Sequence, residues 1–248
     1  MSSTINFSTS WRLQTDNFSE PLLRHKQAAL DIQDLQGLWS VNWQLGKLTL
    51  FSGFYTRIDQ VSIIWALITA AIFTTAQFLP ISWYTQAVVW SALTLVGTLG
   101  MVILTWFWAS VERLRWLIYC WVVLMLGGVA LTDLGIFLGW GEVLMRLCPL
   151  WLGLNAVGYL CTGLGLRSRT FLLTAVIHLL GIVVLDYVPG WQFLTTGLLM
   201  ALSSLLLAEL QWDMRSPIDY AQLTPQQKQF NQEQYRLRQF PDQHSVWE

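Results

Sequence analysis

Residues 83–108 read WYTQAVVWSALTLVGTLGMVILTWFW, a run of 26 positions without one charged side chain. A helix needs about 20 apolar residues to cross the hydrocarbon of a bilayer. The run is also too long and too continuous for a barrel strand, which alternates and spans about 10 residues. Working outward, five further stretches have the same character: 60–78, 114–138, 143–164, 170–188 and 192–212. Turn chemistry separates them at Pro80, at Glu112–Arg113–Leu114–Arg115, at Gly139–Trp140–Gly141, at Arg167–Ser168–Arg169 and at Pro189–Gly190. The expected fold is all-α, a polytopic bundle of six transmembrane helices.

Composition agrees. Of the 248 residues, 54% are hydrophobic and 12% charged, with a mean hydropathy of +0.46, whereas soluble domains carry about 25% charged residues. The chain divides into a polar N-terminal segment (1–58), an apolar domain (59–212) and a polar tail (213–248). The opening MSSTINFSTSWRLQTD has no apolar run, so no cleavable signal peptide is expected. Lys and Arg are retained on the cytoplasmic side during insertion. Placing both chain ends in the cytoplasm puts all 14 of these residues except Arg146 on that side. Trp83, Trp108, Trp116, Trp140, Trp191 and Trp212 fall at span ends, where an indole bridges hydrocarbon and water.

The ends carry their own signals. Ser19 and Pro21 are suited to start a helix that runs to Leu35, with Gly37 just past its end. Trp39, Trp43, Leu48, Leu50 and Phe51 follow, as short strands or an interfacial segment. The Gln-rich QQKQFNQEQYRLRQ of the tail reads as a short solvated helix or a disordered stretch.

Polar residues inside the spans mark the candidate site, because hydrocarbon forces them toward partners. The candidates are Asn155, Tyr159 and Thr162 on the fourth span and Thr174 and His178 on the fifth; Asn155 and His178 share a depth of about 15 Å counted at 1.5 Å per residue. The tight Arg167–Arg169 turn makes the two spans antiparallel neighbours, so Asn155 and His178 are expected to meet. They form either a substrate or ion site, with His178 as proton carrier or ligand, or a plain interhelical hydrogen bond. A second cluster, Asp133, Glu142, Arg146 and Asp186, gathers at the opposite surface, where Arg146 is expected to pair with Asp133 or Asp186. Small residues suit close helix contact: Gly135 and Gly139 as a GxxxG pair, a stripe of Gly197, Ala201, Ser204 and Ala208, and Ser91, Thr94, Thr98 and Thr105 on the second span.

Several function classes lose support. No basic run tracks a phosphate backbone, so nucleic acid is not an expected partner. Cys120, Cys148 and Cys161 lie in apolar segments without CxxC spacing and read as packing residues. No P-loop, HExxH or GxSxG with a suitable His is present, so no catalytic residue, metal or cofactor is assigned, and an enzyme is the least supported class. The expected function is an accessory or assembly subunit of a larger membrane complex, whose partners are the lipid bilayer and other membrane proteins. The alternative is a small-solute or ion transporter acting near Asn155 and His178. The Gln- and Trp-rich, Lys-poor composition resembles that of cyanobacterial membrane proteins, which implies a bacterial-type cytoplasmic membrane or a thylakoid.

Overall fold

A computed structural model describes residues 21–27, 29–45, 48–213 and 223–239, with the side chains of 43–52 and 239 outside the description. Six helices are long and apolar enough to cross a membrane: α2 (Arg57–Phe78), α3 (Trp83–Val111), α4 (Arg115–Phe137), α6 (Leu147–Leu166), α7 (Arg169–Val184) and α8 (Gln192–Glu209). This architecture is compatible with a multi-pass membrane protein. The expected bounds shift where local chemistry dictates. The fourth span is split: a short helix α5 (Gly141–Leu144) precedes α6. Pro149 lacks an N–H and is tolerated only in a first helical turn, so α6 begins two residues before it. The fifth span ends in a 3-10 turn at Leu185–Tyr187, ahead of Pro189 and Gly190 (φ +85°). The sixth stops at Glu209 because Gln211–Trp212 forms a strand.

The helices form a ring in chain order: α2 packs on α3, α3 on α4, α4 on α6, and α8 closes the ring against α2. α7 sits outside it, on α6 and α8. The tightest closure is α2 with α8, where a Cβ added at Gly197 would stand 2.5 Å from Phe73 Cβ. Gln77 fastens the same pair at its far end, donating to Gly190 O at 2.8 Å and accepting from Leu194 N at 3.2 Å. Two apolar cores result. One surrounds Leu117, Tyr159, Phe171 and Leu207 toward the end that holds both chain segments. The other surrounds Phe73, Leu152, Leu185 and Met200 toward the opposite end.

The described parts of the chain outside these helices pack against that first end. The helix expected from Pro21 to Leu35 is not formed; Ser19 lies outside the described residues. Leu23–Arg24 is a strand, β1, paired antiparallel with Gln211–Trp212 (β4), and only Ile32–Leu35 (α1) is helical. Tertiary bonds to the bundle outcompete local helix propensity here. Lys26 Nζ sits 2.8 Å from Asp59 Oδ2 and donates to Phe54 O at 3.1 Å, and Asp59 in turn closes a capping box with Thr56 at the start of α2. Trp39–Leu45 (β2) and Leu48–Tyr55 (β3) form an antiparallel hairpin. The tail helix α9 (Pro225–Gln239) is docked rather than solvated along its length. Its buried Asn231 accepts from Ile32 N at 2.8 Å and donates to Gln33 Oε1 at 3.0 Å, and Gln33 Nε2 donates to the fully buried Glu112 at 3.1 Å. Arg238 pairs with Asp31 at 2.7 Å, and Trp108 Nε1 donates to Asp34 at 3.1 Å. Residues about 200 positions apart in sequence are thus tied at the mouth of the α3–α4 turn.

Asp213 supplies the other tie. Ser168 is the N-cap residue of α7 but its side chain makes no cap bond. Instead the Asp213 carboxylate accepts from Arg169 N (2.9 Å), Thr170 N (3.0 Å), Ser168 Oγ (2.8 Å), Thr170 Oγ1 (2.7 Å) and Arg169 Nε (3.0 Å). It caps the helix from a distant segment and meets the positive end of its dipole. Although burial opposes ionisation, the Thr170 and Arg169 donors hold its carboxyl down at about 2.

Two predictions follow from these ties. Asp213→Ala lowers stability by about 2–3 kcal/mol, through loss of a cap and of bonds to a charged group; in the unaltered protein that contribution is present above about pH 4 and fades toward about pH 2. A denaturation series read by the fluorescence of Trp212 and its neighbours checks both. Asp34 has the opposite sign. Burial, with the Asp31 charge next, pushes its carboxyl up to about 7, so the stability it lends is full at low pH and is lost as pH rises through about 7. Hydrogen exchange in α9, corrected for intrinsic rate, is therefore faster at about pH 8 than at about pH 5, and Asp34→Asn flattens the difference.

Candidate functional site

The polar residues expected in mid-bundle are brought close, but not joined as anticipated. α6 and α7 are antiparallel neighbours, and the Tyr159 and His178 rings stand 5.0 Å apart at 51°. Asn155 and His178 are not bonded to each other. Asn155 Nδ2 donates to Trp151 O at 2.9 Å and touches Met200 Sδ at 4.0 Å. His178 is fully buried, its Nδ1 2.8 Å from Thr174 O and its Nε2 without a partner. Thr174 Oγ1 returns to Thr170 O, and Thr162 Oγ1 to Gly158 O. A helix can absorb a hydroxyl or ring nitrogen on its own carbonyl one turn back, and that local bond is what separates the expected pair. Tyr159 OH reaches across to Ser204 Oγ on α8 at 3.3 Å.

The opposite-surface cluster is dispersed. Glu142, Arg146 and Asp186 are exposed, and none of them is in an ion pair among the described residues. Asp133 instead accepts from Ser91 Oγ on α3, at 2.9 and 3.0 Å to its two oxygens. A half-buried carboxylate gains more from a fixed neighbouring hydroxyl than a solvated Arg gains from an exposed ion pair. The GxxxG pair also divides. Gly135 makes room for Val143 (3.1 Å from an added Cβ), whereas Gly139 has open space and φ +65°, so it ends α4 in a left-handed turn. The stripe on α8 packs inside the chain: Gly197 against Phe73, Ser204 on Tyr159, and Ala201 and Ala208 buried. Of the second-span stripe, Ser91 bonds Asp133, while Thr94, Thr98 and Thr105 are buried.

The ring of helices lines a cavity of about 180 Å³, bounded by α2, α3, α4, α6 and α8, with Phe171 of α7 and Trp212 of β4 also on its wall. Asn155, Tyr159 and Thr162 line it, while Thr174 and His178 stand behind the wall. No charged side chain is in the lining, which is apolar apart from Ser and Thr hydroxyls, Asn155 and Tyr159. Six tryptophans are: Trp65, Trp90, Trp108, Trp121, Trp151 and Trp212. Two of these, Trp108 and Trp212, were expected in the interfacial belt and turn inward instead. Trp108 is held by Asp34, and Trp212 lies edge-on to Phe171 at 4.9 Å. Trp83, Trp116, Trp140 and Trp191 remain exposed near helix ends.

Three of these indoles follow one local rule. Trp121 Nε1 donates to Thr162 Oγ1 at 3.1 Å, Trp151 to Thr132 at 3.2 Å and Trp90 to Thr75 at 3.2 Å. In each case the partner hydroxyl lies on the adjacent helix. Two of these rings also lie over a glycine of that neighbour: an added Cβ would stand 2.4 Å from Trp121 at Gly158 and 2.8 Å from Trp151 at Gly128. Glycine admits the ring, threonine fixes its polar edge, and the ring then cannot rotate to fill the cavity. The signal in the sequence was the mid-span position of Trp65, Trp121 and Trp151, which an interfacial role does not explain. Among the described residues no group of three His, Cys, Asp or Glu could hold a metal ion.

This packing separates the glycines by experiment. Gly158→Ala and Gly128→Ala push on an indole and cost about 1–3 kcal/mol. Gly100→Ala and Gly127→Ala, where an added Cβ meets nothing within 4 Å, are neutral or stabilising by up to about 1 kcal/mol. Thermal unfolding in detergent ranks the four. Compared with known protein families, curated proteins and solved structures, the chain finds no match, so its chemistry rests on its own residues.

Proposed function

We propose that the chain is a non-catalytic accessory or assembly subunit of a larger membrane complex, inserted with both ends in the cytoplasm of a bacterial-type membrane or thylakoid. The orientation rests on the distribution of Lys and Arg, of which Arg146 alone falls at the opposite end. The observation that carries the docking role is an apolar patch on a fixed platform outside the spans. Leu35, Leu38 and Trp39 are exposed side by side in sequence, and apolar patches outside the lipid zone mark interaction surfaces. The platform beneath them does not move freely. Gly37 O accepts from Gln60 Nε2 at 2.8 Å, and Gly37 sits at φ +71° against the Arg57 guanidinium. Next to it the Glu112–Gln33–Asn231 chain fastens α1 to α3 and α9. A partner would therefore meet a preformed surface, with little ordering cost on this side.

The alternative is a small-solute transporter, favoured by Asn155, Tyr159 and Thr162 lining one cavity. The lining's lack of charge argues against an ion as the cargo.

The test is purification of the tagged protein from its native membrane in mild detergent. Partners at fixed stoichiometry are expected, and the Leu35→Glu/Leu38→Glu double variant loses them while still inserting. A lone monomer for the unaltered protein contradicts the docking role. In that case uptake measured with Asn155→Ala and His178→Ala decides on transport.

A further inference from the structure

We propose that the central cavity is a binding site for one elongated, uncharged, hydrocarbon-rich molecule of the prenyl or polyene type. This goes beyond the docking role and does not depend on it. The first argument is shape. Lining residues on α2 run from Ile58 to Phe73, a rise of about 22 Å at 1.5 Å per residue. The cavity thus extends over most of a hydrocarbon layer about 30 Å thick. A compact solute would leave much of that length unfilled, whereas a chain would follow it.

The second argument is chemistry. Without a charged side chain in the lining, a phosphate, carboxylate or ammonium enclosed there would have no counter-charge. Most wall hydroxyls are already committed: Thr69 to Trp65 O, Thr105 to Met101 O, Thr132 to Trp151, and Thr162 to Gly158 O and Trp121. The Asn155 amide spends its Nδ2 on Trp151 O, and no donor among the described residues reaches its Oδ1, which leaves room for one weak donor such as an alcohol. Apart from the Thr94 hydroxyl and the Trp65 N–H, which also line the cavity, the rest of the wall offers dispersion.

The third argument is rigidity. Leucine walls would relax inward, but Trp90, Trp121 and Trp151 are pinned at their N–H ends, and Trp121 and Trp151 are seated on glycines. A hydrocarbon-lined void forfeits dispersion contacts, and an apolar molecule that fits restores them, as dry engineered cavities show. Broad indole faces suit an extended chain, with or without conjugation.

The experiment titrates full-length protein, at constant detergent, with all-trans-retinol, an uncharged polyene alcohol that accepts energy from tryptophan. The expected result is saturable quenching at about one molecule per chain. Thr105→Phe and Thr69→Phe fill the cavity from two different helices, and neither removes a bond between helices. Each weakens binding by at least about tenfold, while the outward Val96→Phe leaves it unchanged. Squalene displaces retinol from the unaltered protein, and phosphatidylglycerol in equal excess does not. The proposal is overturned by non-saturable quenching, by failure of squalene to compete, or by fillers that fold yet bind as before. Displacement by phosphatidylglycerol equal to that by squalene also overturns it, since the occupant would then be a phospholipid tail. The Leu35→Glu/Leu38→Glu variant binds retinol normally, so loss of docking and loss of cavity binding are read separately.

Discussion

A bundle of six helices long and apolar enough to cross a membrane must meet most of its buried N–H and O–H groups from within the protein, because hydrocarbon provides no hydrogen-bonding partner. In this chain the constraint falls heavily on tryptophan, whose indole is large, apolar and has a single donor. The interior indoles Trp90, Trp121 and Trp151 each find that partner on the next helix, as a threonine hydroxyl. Each such bond does three things. It satisfies the donor, fixes the separation of two helices, and sets the plane of a wall. The cavity is a consequence of rings too well held to collapse. Interhelical bonds in membranes average about 0.6 kcal/mol, so their effect here is geometric more than energetic.

The same constraint organises the end of the bundle where the chain segments gather. Glu112, buried completely at the α3–α4 turn, needs donors, and Gln33 from the N-terminal segment is one of them, held in turn by Asn231 of the tail helix. Asp213 does comparable service for α7, giving a distant helix the cap its own Ser168 withholds. The described parts of the outer segments are therefore part of the fold, held by these polar bonds together with the packing of Leu223 and Ile32 on Val111 and Phe107.

The six long helices were legible because continuous apolar length is a local property of sequence. Their ends were less so: Pro149 moved the start of α6, and a strand pairing took Gln211 and Trp212 from α8. The short strands after Leu38 and the helix in the tail were legible as well, but the ties between them were not, because those bonds join residues about 200 positions apart and no local pattern links Gln33 to Asn231. The helix anticipated from Pro21 lost to β1 for that reason. Within the bundle, the residue types of the polar site were visible but not their choices. Asn155, Thr162, Thr174 and His178 each settled on a carbonyl one turn back, an option that spacing alone does not rank against a cross-helix bond. Trp108 and Trp212 sit at helix ends, as an interfacial residue would, and only packing decides whether such a ring faces lipid or the interior.

Fluorine NMR of the protein labelled with 5-fluorotryptophan in bilayers containing a spin-labelled lipid tests the inward placement of the tryptophans most directly, with resonances assigned by single Trp→Phe substitutions. The account predicts that Trp121 and Trp151 keep sharp signals while Trp116, Trp140 and Trp191 broaden. Broadening of Trp121 and Trp151 to the extent seen for Trp191 would place them against lipid and contradict it.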